Sequence, residues 1–585
     1  FPSGLAIAGR QKKGRTMESA SNPNRSINRR DFVAAGASGL VAMAGTALFT
    51  QSARAAEAAH TSGAVTEFDA CSAFAPETGH AWEIVPEDVP ADLIGEVVDA
   101  DIVVVGAGAA GVVAAHAAAE AGAKVALVER SDSFSARGHD IGGFNSQFQA
   151  DNGIVMDKLD LLNAWSEITM NKTNLGLFNL WLNNSGPVMD YFVDRMANEG
   201  IECKLGAQGA AVSSSNPCIR EFLTTHCFGV GQKDENGEYI MHKFVRYVEN
   251  WAVEEGVDIR YNTRAVRLVK TDGRVTGVIG ETVDGTYVQF NGPKGVILAT
   301  GDIGGNPDML KMWAPSAQDC PFKTYIPYGC NTGDGICLGM WAGAGHQKTN
   351  AAGMFLPTSA AQGGPLFNDG GNLCWLAVNA NGERFYREDV SGAMQSFAIA
   401  KQPGAVAYSI FDGNYEEDLL RNVPDGLNRS RKPYITEGFD EALQDEVDDY
   451  LLFKGDSVEE LAERMGIDPT VLQATFDRYN ELCDAGADVD FGKDASKLCR
   501  VDQPPFYASR IRCGMLVTIY GLNCNAHSQV CDENDVPVPG LYAVGNVQGN
   551  FFTDSYPILI PGISHGRCVT IGRILGQALA RGEEL

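Results

Sequence analysis

Fourteen cysteines are scattered through the 585 residues, yet no two stand three positions apart, so the chain has no C-x-x-C pair. That excludes attachment of haem through C-x-x-C-H and leaves no cysteine run spaced for an iron–sulfur cluster or a zinc ribbon. No metal ligand set is read from the sequence, and electrons for redox chemistry must come from a separate donor protein, a cytochrome or a flavoprotein. Positive charge is scarce too: 46 Lys+Arg face 74 Asp+Glu, for a net charge of −28. Such a surface repels nucleic acid and anionic lipid headgroups, so neither is expected as a partner. Acidity serving solubility alone is as good a reading as a specific basic partner.

Large apolar side chains are sparse in the one N-terminal stretch long enough to matter. Residues 32–53 are 22 uncharged residues built mostly from Ala, Gly, Val and Leu, which makes bilayer insertion weak. They follow Ser26-Ile27-Asn28-Arg29-Arg30-Asp31-Phe32 and end at Ala53-Arg54-Ala55, a small-x-small site. This is the pattern of a twin-arginine export signal, with residues 1–55 removed or left without a fold and 56–96 as a linker. A retained membrane anchor is the alternative; with cleavage no stable span is expected. The twin-arginine route carries folded proteins, so the mature chain belongs in the periplasm or at the cell surface. Without residues 1–55 it would hold 38 basic against 72 acidic side chains, net −34. Folding before export argues against dependence on disulfides, and most cysteines are expected to be buried small hydrophobes.

With 44% hydrophobic residues the chain can bury a large core, and its length suggests more than one structural unit. The strongest motif starts at residue 101. An unbroken β-branched run over 102–105 leads into Gly106-Ala107-Gly108-Ala109-Ala110-Gly111 and an Ala-rich helix ending near Ala121. Gly106 allows the tight turn, Gly108 lets the backbone approach a pyrophosphate, and Gly111 lets helix and strand pack closely; the helix start offers free N–H groups. A second strand over 124–128 ends in Glu129, placed for a ribose hydroxyl, with Arg130 beside it. A glycine-rich helix packed without a ligand would not need this whole βαβ context.

Later segments repeat the strand-to-glycine logic. Gly142-Gly143-Phe144-Asn145-Ser146 offers a second pyrophosphate contact; residues 260–266, ending in Val266, read as a strand with a hairpin return at 273–278. Residues 294–298 form a buried strand ending in Ala299-Thr300-Gly301, and 539–544 one ending in Gly545-Asn546.

Together with Thr332-Gly333-Asp334-Gly335 and Asn381-Gly382-Glu383-Arg384-Phe385, these pieces resemble the fumarate reductase/succinate dehydrogenase flavoprotein family, in its single-chain soluble branch, over roughly residues 97–582. The resemblance implies an α/β fold: a Rossmann-like FAD-binding domain over 97–372 and 520–585, and an inserted α+β capping domain over 373–519 that closes on the substrate. FAD is expected without a covalent link. Asp334 would lie against it, Asn546 replaces an acid that holds the ribityl region, and Gly562 and Ile563 at the last helix would approach the flavin. Arg384 and Glu388 read as a structural ion pair. Residues 458–465 and 470–479 have helical spacing and belong to the cap's core.

The departures are informative. The family's fumarate-binding histidines and arginines are replaced by Leu356-Pro357-Thr358, by the run Gly514 to Gly521, by Gly392, and by the segment 554–564. A dicarboxylate without cationic partners costs several kcal/mol per buried charge. A pocket lined by Leu356, Leu516, Val517 and Phe552, with Phe551, suits an apolar or aromatic molecule. Tyr556-Pro557 followed by Pro561-Gly562 is similar to flavin enzymes acting on steroid-type enones and to gut-bacterial enone and enoate reductases. That likeness implies a reductase of an activated C=C bond, or a ketosteroid-type dehydrogenase in the opposite direction; an electron-transfer module is the reading from another class. Tyr556 is the first candidate for a catalytic or carbonyl-polarising hydroxyl, Tyr328 and Tyr520 the second, with Gly562 as a backbone donor. Arg567, in Ser564-His565-Gly566-Arg567, either is structural or meets a substrate carboxylate.

Overall fold

The computed structural model describes residues 80–135, 139–206, 220–320, 322–323, 329–359, 374–422, 439–449, 451–552, 554 and 556–585. The expected signal region lies outside them, as does Tyr328.

The central sheet grows from residues that favour strands buried on both faces. Ile102–Val105 is wholly β-branched and every residue is buried. It pairs in parallel with Val125–Val128 on one side and Gly295–Leu298 on the other. Asp258–Arg260 and Pro537–Ala543 extend the parallel sheet, and Gln529–Cys531 closes one edge antiparallel. The strand order therefore reverses outward from Ile102–Val105, and a crevice opens at the strands' carboxyl ends, where such sheets bind ligands.

Two helices cover the site side of the sheet. Ala109–Glu120 packs on the C-terminal helix Ile563–Arg581 through small residues. A Cβ at Gly576 would fall 2.3 Å from the Ala114 carbonyl oxygen, and one at Gly572 2.8 Å from that of Ala110. Alanines on one helix facing glycines on the other bring the two backbones together at the crevice.

A second, four-stranded sheet joins Ile94–Asp99, Tyr287–Asn291, Arg274–Thr282 and Thr263–Thr271. The hairpin expected at 273–278 is its last antiparallel pair. A third sheet is organised by the 14-residue strand Phe506–Ile519. Its first half pairs with Ala407–Phe411 and Leu452–Gly455, and its second half with Ala352–Ser359. Helices Val458–Met465 and Pro469–Ala485 bury Leu461, Leu472, Phe476 and Tyr479 against this sheet, as their spacing implies. The expected boundary at 372/373 falls outside the described residues. The other, at 519/520, is the end of the long strand.

Cys320 and Cys513 are joined by a disulfide with Cα atoms 4.9 Å apart, which the export argument did not anticipate. The two lie 193 residues apart in sequence, so only the fold brings them together. No helix among the described residues is long and apolar enough to cross a membrane.

Candidate active site

The glycine loop has the geometry its sequence requires. Gly106 sits at φ +107°, where a Cβ would fall 2.5 Å from the Ala299 carbonyl oxygen, and a Cβ at Gly111 would meet the Gly106 oxygen at 1.9 Å. Gly108 is different: its nearest atom would be the Ser135 oxygen at 3.8 Å. A side chain at 108 would thus project into the space before the helix, whose first N–H groups at Ala109 and Ala110 have no helical acceptor. Glu129 is buried at the end of the next strand, its two carboxylate oxygens accepting from the Ala107 N–H at 2.7 Å and the Ser131 N–H at 2.8 Å. It therefore braces the glycine loop from the end of the next strand.

Asp334 opens helix Asp334–Trp341 beneath this loop. It accepts from Arg130 at 3.2 Å, Arg264 at 3.4 Å and the Thr332 hydroxyl at 2.7 Å. Burial pushes its carboxyl up, but the Arg264 and Arg130 charges outweigh that and hold it below the usual carboxylate range. Val266 is half-buried at a bulge in the neighbouring strand, between Ala265 and Arg267. Ala299 is buried, and Thr300 stands so near Gly335 that a Cβ there would lie 2.0 Å from its hydroxyl oxygen. Gly301 adopts φ +83° beside the Asn331 amide.

The second loop is tied to the last helix. The Gly142 N–H donates to the Gly562 carbonyl at 2.8 Å, and a Cβ at Gly566 would fall 2.0 Å from the Gly142 oxygen. Gly143 backs onto Met189 and His226. Asn145, at φ +51°, commits its side-chain amide to both backbone groups of Met156, leaving only its main chain for a phosphate. Ser146 caps a short helix and meets His226 Nε2 at 2.9 Å. His226, which no motif flagged, holds its other ring nitrogen 3.0 Å from the Thr224 carbonyl, and burial lowers its pKa to about 4. The Thr224 hydroxyl in turn donates to the Pro561 carbonyl at 2.8 Å, so this neutral imidazole ties both flavin loops together. It stands 80 residues from Ser146, a separation that carries no sequence signal.

Tyr556 lies at the mouth of the C-terminal helix, buried and stacked on Phe552 with ring centroids 4.9 Å apart. Burial pushes its phenol up to about 12, opposed by hydrogen bonding from the Ser564 side chain and backbone and by the Arg567 charge. Ile563 is the first residue of that helix, and Gly562 precedes it at φ +75°. Asn546 accepts from Arg567 at 2.9 Å and donates to Asp302 at 3.3 Å.

The remaining candidates divide. Leu356 and Val517 lie on the adjoining strands Ala352–Ser359 and Phe506–Ile519 but not opposite each other: Leu356, half-buried, is paired with Gly514, and Val517, buried, with Met354, with Leu516 left unpaired at the bulge. Phe551 and Phe552 are buried against Trp165 and, for Phe551, Phe178, and Arg567 is fully buried over their rings. Tyr520 stacks on Trp313, and its hydroxyl is held 2.7 Å from His346 Nδ1 and 3.3 Å from the Gln347 carbonyl, an arrangement that packing alone accounts for. Arg384 pairs with Glu388 at 2.8 Å and Asp488 at 2.7 Å, the structural role expected of it.

A dinucleotide fits this arrangement, because the glycine cradle, the helix start and Glu129 answer pyrophosphate and ribose in turn. The model of the FAD binding domain family matches residues 101–558. The chain belongs to that family. It is an FAD-dependent oxidoreductase, and its resemblance to the fumarate reductase/succinate dehydrogenase flavoproteins is borne out by its relatives. The flavoprotein is 28% identical over 501 residues to vinyl phenol reductase of Lactiplantibacillus plantarum, across 82% of this chain and 96% of that one. An open flavocytochrome c3 fumarate reductase superposes with a TM-score of 0.62 at 25% identity, over 83% of this chain and 79% of that chain. The fold alone is shared with 3-ketosteroid-Δ4-(5α)-dehydrogenase of Rhodococcus jostii, with a TM-score of 0.64 at 21% identity, over 84% and 99%.

Proposed function

We propose that the flavoprotein saturates an activated C=C bond, an enone or enoate, in an apolar or aromatic small molecule. The observation that carries this reading is the buried phenol of Tyr556 at the N-terminus of helix Ile563–Arg581, where the backbone also places Gly562 against the Gly142 loop. By the family resemblance, Leu356, Gly392, the run 514–521 and the segment 554–564 replace the histidines and arginines with which fumarate reductases meet their substrate, so this chain would offer a dicarboxylate little compensation. A vinyl phenol reductase and fumarate reductases are equally similar to this chain at 28% identity, so the replaced cations, not the relatives, carry the choice of an apolar alkene.

Reduced FAD, when bound, supplies a hydride to the β-carbon. The chain does the rest. The glycine loop, Glu129 and the first turn of helix Ala109–Glu120 hold the dinucleotide without a covalent link, and acid precipitation should release the flavin into solution. Tyr556 donates a proton to the α-carbon, and the Gly562 region orients the activating carbonyl. Residues 373–519 act as a cap that excludes water. Electrons arrive from a separate cytochrome or flavoprotein, outside the cytoplasm if residues 26–55 direct export. In anaerobic turnover with reduced viologen, Tyr556→Phe should lower kcat by about 10²-fold or more while FAD absorbance and KM hold, the usual scale of general acid catalysis. Unchanged kcat would remove Tyr556 from the chemistry.

A further inference from the structure

Arg567 is an unusual buried cation. Elsewhere in the core, Arg384 faces Glu388 and Asp488, Lys493 faces Glu388, and Arg573 faces Glu120. Arg567 is fully buried, yet among the described residues it pairs with no carboxylate. One nitrogen donates to Asn546; Nε and Nη1 are buried without a hydrogen-bond partner. Replacing a buried charge of this kind by an apolar side chain is often neutral or stabilising, so its presence calls for an electrostatic reason.

The geometry supplies one. Its guanidinium lies 4.8 Å from the centre of the Phe552 ring, and that ring stacks on Tyr556. Ser564, which hydrogen-bonds toward the Tyr556 phenol, is three residues earlier on the same helix and therefore on the same face. The helix start thus lies against the phenol, and the guanidinium stands one ring away across Phe552, so both direct positive potential toward Tyr556. The buried carboxylate of Asp302 is separated from Arg567 by the Asn546 amide, which accepts from Arg567 and donates to Asp302, and the remaining described groups nearby supply no counter-charge. Cys568 and Cys524 are buried thiols, His565 turns its Nδ1 to the Asp140 carbonyl, and Asp554 pairs with Lys172 at the surface.

We propose that Arg567 is a positioning residue, the fixed counter-charge that stabilises the tyrosinate formed when Tyr556 gives up its proton. The inference rests on Tyr556 being the proton donor. In that step the Tyr556 O–H bond breaks and its proton forms the new C–H bond at the α-carbon. The electron pair of the O–H bond stays on the phenol oxygen, the hydride comes from the reduced cofactor, and water restores the proton afterwards. Arg567 offsets the charge left on oxygen without touching the substrate.

The test reads the acidity of the phenol itself. A singly fluorinated tyrosine is placed at 556 in the FAD-loaded protein, and fluorine NMR follows its titration with Arg567, Arg567→Lys, Arg567→Met and Arg567→Gln. Loss of the charge in Arg567→Met or Arg567→Gln should weaken the phenol as an acid at least tenfold, one pKa unit upward. Arg567→Lys should leave it nearer the native value. An unchanged titration in the Met or Gln variant overturns the proposal, and so does a rise in the Lys variant as large as theirs. Because no turnover is measured, failure here is distinct from failure of Tyr556→Phe to slow catalysis.

Discussion

The Gly142 N–H donates to the Gly562 carbonyl at 2.8 Å, joining the second flavin loop to the start of the last helix. Gly566 completes the contact, since a Cβ there would fall 2.0 Å from the Gly142 oxygen, which is backbone and cannot swing aside. Gly566→Val should therefore separate loop from helix. Purified protein should carry less than a tenth of the native flavin absorbance, while circular dichroism still reports a folded chain. Full flavin occupancy would show that this contact does not shape the site.

Asp334 makes FAD-site stability depend on acid pH. Its folded pKa lies below the unfolded value, so its contribution is complete above about pH 4 and is lost as pH falls through the lower, folded pKa. The melting temperature of Asp334→Asn should lie below that of the native protein at neutral pH. The gap should narrow steadily below about pH 4. A gap independent of pH would mean that the Arg130 and Arg264 charges do not act through the Asp334 carboxylate.

Tyr520→Phe separates packing from chemistry. Removing the hydroxyl that meets His346 at 2.7 Å should cost about 1 kcal/mol of stability, the usual net worth of one hydrogen bond. Denaturant melts would read that loss, and kcat should stay within about twofold. A large fall in kcat with unchanged stability would return Tyr520 to the list of catalytic candidates.

The nucleotide-binding half was legible in the sequence because its chemistry is local. Gly106, Gly108 and Gly111 each answer a steric demand within a few residues, and the β-branched run before them could only be a buried strand. The relations that the sequence hid are long-range. Nothing in the order of residues marks His226 as the link between Ser146 and Thr224, or Cys513 as the partner of Cys320. The aromatic pair Phe551-Phe552 reads as a pocket wall in one dimension. In three the pair packs against Trp165, and Phe551 also against Phe178. The sequence left Arg567 open between a structural role and a substrate carboxylate; the fold buries it fully over the Phe551 and Phe552 rings.

The proposed loss of the carboxylate-binding cations at Leu356, Gly392 and within residues 514–521 bears most directly on which alkene is reduced. The decisive measurement is anaerobic oxidation of reduced viologen by the FAD-loaded protein, with fumarate compared against vinyl phenols, cinnamates and steroid enones at equal concentration. At least one apolar or aromatic alkene should oxidise the dye, with kcat/KM a hundredfold or more above that for fumarate, the discrimination that about 3 kcal/mol of uncompensated charge burial would give. Rapid fumarate reduction with every apolar alkene inert would contradict it.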